Sequence, residues 1–114
     1  MFMRPDAAAL LWDVHEAATK IGQFTTGLDE PGYASDDLRK SAVERQLEII
    51  GEALNKLRVA DPETAQQVPD LARIIGLRNI LAHGYAVIDD SVVWSAASQR
   101  VPELLTVISG LLAG

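Results

Sequence analysis

Apolar residues at Val43, Leu47, Ile50, Leu54 and Leu57 follow one another in steps of four, three, four and three. That rhythm keeps returning to one side of a 3.6-residue helix, so it draws a single apolar stripe down one face. Leu10, Val14, Ala17, Ile21, Phe24 and Leu28 repeat the pattern over five turns. Two stripes of this length each need an apolar partner surface, which restricts the chain to packed helices. Ile49 and Ala53 widen the first stripe, while Arg39, Lys40, Glu44, Arg45, Glu48, Glu52, Lys56 and Arg58 occupy the opposite face. This charged face is expected to be solvated, with Glu44 and Glu48 set against Lys40 and Arg45 at helical spacing.

Stop and start signals divide the chain further. Pro5 and Asp6 suit a helix start, and Gly27 with Pro31-Gly32 ends the first helix. Ser35, followed by Asp36 and Asp37, predicts the N-cap of the second. Asp61-Pro62-Glu63 opens a short helical turn that Pro69 stops. A third helix is expected from Pro69 or Asp70 to His83 on Leu71, Ile74, Ile75, Leu77 and Leu81, with Gly84 at a left-handed stop. A fourth follows Asp89-Asp90-Ser91 and continues through Val93, Ala97, Val101, Leu104, Ile108 and Leu112. Pro102 lies inside it and should kink it. With 114 residues, no repeat and no linker, the expectation is one all-α domain over 1–114. It should be an up-and-down bundle of four main helices plus a short one.

Composition removes several classes of function. The chain has no cysteine, hence no disulfide frame and no thiolate ligand or nucleophile. Its carboxylates are spread over helical faces rather than clustered with histidines, so neither a metal nor another cofactor is expected. No apolar run approaches the roughly 20 residues of a membrane span, and Met1-Phe2-Met3-Arg4-Pro5-Asp6 has no signal-peptide core. A cytoplasmic protein without membrane contact is expected. The net charge of −6 argues against a broadly basic nucleic-acid surface and suits docking on a basic partner. Any contact with RNA must use a local cluster of cations.

Such a cluster has one candidate, Leu77-Arg78-Asn79-Ile80-Leu81-Ala82-His83-Gly84-Tyr85, at the end of the third helix. The chain holds two histidines and two tyrosines, and one of each stands here beside an arginine. An arginine offers a permanent charge and a planar fork of donors to a phosphate and to the extra charge of its transition state. An imidazole changes charge near neutrality, so His83 could take a proton from a ribose 2′-hydroxyl or give one to the departing 5′-oxygen. Asn79 could orient the imidazole or a phosphate oxygen, and Tyr85 adds a hydroxyl.

At five residues' separation, Arg78 and His83 lie about 140° apart around a helix. Either His83 swings at a frayed helix end, or a second copy supplies the missing partner across a two-fold interface; the second geometry is preferred. The plain structural roles are a dipole partner for His83, a surface ion pair for Arg78 and a core-edge ring for Tyr85. His15 is read as structural, and Trp12 and Trp94 as core or interface residues.

The pattern of Arg78, His83 and Tyr85 resembles the signature of HepT-type toxins in the HEPN superfamily. Ala42-Val43-Glu44-Arg45-Gln46-Leu47-Glu48-Ile49-Ile50-Gly51-Glu52-Ala53 is similar to that family's helix preceding the motif, as are Val93-Trp94 and Val101-Pro102-Glu103-Leu104 after it. The resemblance implies an all-α homodimer with its cleft at the dimer interface, and Arg78 and His83 as the catalytic pair of a metal-independent endoribonuclease. Asn79 matches a polar position after the arginine. A minimal nucleotidyltransferase antitoxin (MNT-type) would transfer AMP onto Tyr85 and so block RNA. Many relatives carry more basic residues where Ile80, Leu81 and Ala82 stand here. Two other readings remain: a non-catalytic helical module that docks a nucleotidyltransferase, and a small nucleotide-binding regulator.

Overall fold

A computed structural model describes residues 3–83 and 88–114. Gly84 and Tyr85, and with them the expected helix stop, lie outside the described residues. The elements are α1 (Pro5–Thr25), α2 (Glu30–Ala34), α3 (Asp37–Ala60), α4 (Pro62–Ala65), α5 (Leu71–His83), α6 (Asp90–Ser95), a π-helical turn (Ala96–Arg100) and α7 (Val101–Ala113). No strand occurs among the described residues. The four main helices of the sequence reading are α1, α3, α5 and the rod from α6 to α7, and α4 is the short one.

The second short helix, α2, was hidden by its own sequence. Pro31 and Gly32 look like a break, but proline is well placed in a first helical turn, where its missing N–H needs no partner. The Asp29 carboxylate then accepts from the Gly32 N–H at 2.8 Å and starts the helix. Ser35 closes α2 instead of capping the next element: its Oγ donates to the Pro31 carbonyl at 3.0 Å. The cap of α3 falls to Asp36, which accepts from the Arg39 N–H at 3.0 Å.

The α3 stripe is buried from Val43 to Leu57 as its spacing requires. On α1 the buried face is Ala7, Leu11, Val14, Ala17, Ala18 and Ile21, rotated slightly from the expected line. Three alanines on that face let α1 come close to α3, which leaves the bulkier Leu10, Phe24 and Leu28 packed at its edge. The Arg4 guanidinium donates to the Ala60 carbonyl at 3.0 Å, so α1 starts where α3 ends and the two run antiparallel. Residues of late α1 and early α7 line one shallow concavity, so α7 returns along α1 in the same way.

Pro102 disturbs the last helix as its chemistry demands, but over several residues. It cannot donate to the Ser98 carbonyl, and the chain answers with the wide π turn at Ala96–Arg100. Pro102 thereby falls in the first turn of α7. Trp94 is half-buried and faces Tyr33 with ring centroids 5.4 Å apart. Trp12 is not core: it is 56% exposed, edge-on to His15 at 5.3 Å.

The charged face of α3 pairs differently from its helical spacing. Arg45 meets Glu48 at 3.2 Å, but Lys40 reaches across to Asp90 at 2.9 Å. The Lys40–Asp90 contact ties the start of α3 to the start of α6. Glu44 is left without an ion pair among the described residues; burial, with the Asp90 charge, pushes its carboxyl above the usual range against the pull of Lys40. Tyr33 is fully buried beneath this group, and burial followed by the charges of Glu44 and Asp90 raises its hydroxyl well above the tyrosine range.

Three capping carboxylates shift the other way. Hydrogen bonds from the Arg39 backbone and side chain lower Asp36, those from Thr64 lower Asp61, and those from Ser91 lower Asp89. A depressed folded value contributes stability above the unfolded pKa of about 3.9, and that stability is lost as pH falls through the folded values. Glu44 and Tyr33 have the opposite sign, so their contributions fade as pH rises. Urea denaturation should therefore show stability falling below about pH 4, and an Asp61→Asn, Asp89→Asn double variant should flatten that acid limb. An unchanged limb would exclude these two caps as its source.

Candidate active site

Helix α5 carries the arginine and histidine of the motif. It buries Ile74, Ile75 and Leu81 and lies along α3. Arg78, half-buried, sits on the flank of this contact. Its guanidinium donates to the Asn79 side-chain oxygen at 3.2 Å, and among the described residues no carboxylate lies within ion-pair distance. Six other cations, Lys20, Arg39, Lys40, Arg45, Lys56 and Arg100, are each paired with a carboxylate. Arg78 thus belongs to the minority whose charge is not already matched, which is what a phosphate contact needs. An apolar contact holds the stem of the side chain while the head stays at the surface.

His83 is the last residue of α5 and is exposed. The helix runs without interruption from Leu71, so the backbone keeps Arg78 and His83 about 140° apart, as the spacing predicts. The side-chain hydrogen bond of Arg78 goes to Asn79, not to His83. Asn79 is therefore seen orienting the guanidinium rather than the imidazole. Tyr85 lies outside the described residues. Among the described residues, no three His, Asp or Glu side chains converge as metal ligands would.

The contact that seats Arg78 comes from a glycine set among the apolar residues of the α3 stripe. Gly51 is buried at the middle of α3. A methyl placed on it would lie 2.7 Å from Arg78 Cγ, closer still to Arg78 Cβ, and 3.3 Å from the Ile74 carbonyl oxygen. The signal was available: a glycine inside a strong helical stripe destabilises the helix by about 1 kcal/mol relative to alanine and calls for a packing reason.

The opposite flank of α5 borders a mostly apolar groove of about 590 Å³. Leu47 and Ile50 contribute to its lining from α3, Leu77 and Ile80 from α5, and Val92 and Ala96 from the last rod. Neither Arg78 nor His83 lines it. Arg100 crosses one end of the gap to Asp70 at 3.0 Å, and Asp70 takes a left-handed φ of 57° just before α5 begins.

Among the described residues the chain is an all-helical bundle whose α5 carries an arginine without a carboxylate partner and a surface histidine. The ribonuclease HepT-like family model matches residues 14–111, and the chain belongs to that HEPN-related family. A Methanocaldococcus jannaschii protein named "Putative RNase MJ1380" is 35% identical over 99 residues, covering 87% of this chain and 90% of that protein. A second from the same organism, "Putative RNase MJ1216", is 32% identical over 99 residues, with 87% and 81% covered. "Probable ribonuclease HepT" of Thermococcus cleftensis is 31% identical over 96 residues, with 82% and 84% covered. No solved structure matches the chain.

Proposed function

We propose that the chain is a metal-independent endoribonuclease and the toxin of a toxin–antitoxin pair, acting in the cytoplasm. The observation that carries this reading is Arg78, free of carboxylate partners in a chain of net charge −6, on the same helix end as His83. Arg78 would grip the scissile phosphate, held in orientation by Asn79. His83 would move the proton: the ribose 2′-oxygen bonds to phosphorus, the bond to the 5′-oxygen breaks, and the 2′-hydroxyl proton ends on that 5′-oxygen. The products are a cyclic phosphate and a free 5′-hydroxyl. Metal is not required, since charge stabilisation and proton transfer are both supplied by side chains.

Because the two side chains diverge around α5, one copy does not close the site. A homodimer that brings the α5 ends together would complete it, with the arginine of one copy beside the histidine of the other. An MNT-type nucleotidyltransferase antitoxin would transfer AMP from ATP onto the Tyr85 oxygen, releasing pyrophosphate. The added phosphate would repel RNA from the cleft. The apolar groove, with Ile80 55% and Val92 53% exposed, favours a second reading, a non-catalytic module that docks a protein partner.

Incubation of the purified chain with total RNA separates the two. Cleavage to cyclic-phosphate ends is expected, and treatment with the nucleotidyltransferase and ATP should abolish it while adding one AMP mass to the Tyr85 peptide. Intact RNA with the untreated dimer would establish the docking module instead. An adduct on another residue would overturn the assignment of Tyr85.

A further inference from the structure

We propose that Gly51 is a positioning residue for Arg78: its missing side chain lets α5 settle against α3 at the height where the arginine is aimed into the site. This rests on the role given to Arg78 above. Gly22, Gly76 and Gly110 are also helical, yet a methyl on any of them meets nothing within 4 Å. Gly51 alone among these is packed against side-chain atoms. Those atoms are the Cβ and Cγ of Arg78, with the Ile74 carbonyl oxygen behind them. They are the backbone-anchored root of the side chain, so rotating the guanidinium end cannot relieve the contact. An added methyl must move α5 itself. Little resists such a shift on the other flank, where the groove lies open and the Arg100–Asp70 pair holds only the start of the helix. The displaced arginine would keep its charge and its chemistry but lose its aim.

Misplacing a catalytic group by about 1 Å can cost about 10²-fold in rate. Gly51→Ala should therefore lower kcat for RNA cleavage by about 10–10²-fold in protein shown to be folded, whereas Gly22→Ala should cleave at the native rate. In an Arg78→Ala background the loss caused by Gly51→Ala should shrink. An equal loss in both backgrounds, or native kcat in Gly51→Ala, would overturn the proposal. A readout independent of activity is the Arg78 Nε–Hε cross-peak in NMR. Gly51→Ala should shift it while leaving that of Arg39, paired with Asp36 at the start of α3, in place; an unmoved Arg78 peak counts against the proposal even if no RNA is cut. Native cleavage by Arg78→Ala would instead refute the catalytic reading and leave the positioning claim to the spectrum. Should Gly51→Ala fail to fold, Gly51→Ala combined with Arg78→Gly removes both contacted side-chain atoms and should restore folding. Continued unfolding, with Arg78→Gly alone folded, would reject the contact as the cause.

Discussion

Replacing His83 by alanine should lower the rate of RNA cleavage by about 10²–10⁴-fold, the range expected when a general acid–base is removed. The loss should appear in kcat, because the imidazole is proposed to act on the proton in flight rather than on the resting phosphate. Arg78 and Asn79 remain to bind RNA, so KM should change far less. The fold should not suffer, since His83 is exposed at the last residue of α5. Initial rates at saturating RNA, with sedimentation to confirm an unchanged oligomeric state, measure this directly. A folded His83→Ala chain of native oligomeric state that cuts at the native rate would remove His83 from the proposed mechanism.

The second large effect concerns stability. Leu54 is completely buried on the face of α3 that carries the central stripe, and it does not border the groove. A cavity made there is closed, so water cannot fill it and the neighbours collapse only partly. Leu54→Ala should cost about 2–5 kcal/mol. Domains of this size hold about 5–15 kcal/mol in all, so the variant should sit near the edge of folding at physiological temperature. Urea denaturation reads the difference from the midpoint at unchanged slope. A loss under about 1 kcal/mol would mean that the neighbouring side chains close around the gap.

The helices were legible because their signals are local. Stripe spacing located α3, and Asp61-Pro62 announced α4 with a cap that accepts from the Thr64 N–H at 3.2 Å. The failures share a physical origin in competition between neighbouring signals. Asp29 turns Pro31-Gly32 from a stop into a start, and Asp36 outcompetes Ser35, whose hydroxyl is already engaged with the helix behind it. On the α3 surface, periodicity pointed Lys40 at Glu44, but Asp90, fifty residues further on, takes it. No local rule can see a partner supplied by the tertiary fold. The site shows the same division. The divergence of Arg78 and His83 follows from residue counting, whereas the bond from Arg78 to Asn79 and the seat at Gly51 depend on rotamers and on how α5 lies upon α3.

Helix α5 is anchored along α3 but bordered by a groove on its other flank, which gives the bundle unequal resistance to opening. Detaching α5 would leave the buried faces of α1, α3 and α7 largely together, so this helix can open as a separate cooperative unit below the cost of global unfolding. Its amides should then exchange with solvent ahead of those in the three-helix remainder. The residues proposed to cut RNA would thus stand on the part of the molecule that melts first, and heat or denaturant would extinguish activity while most of the helical signal persists.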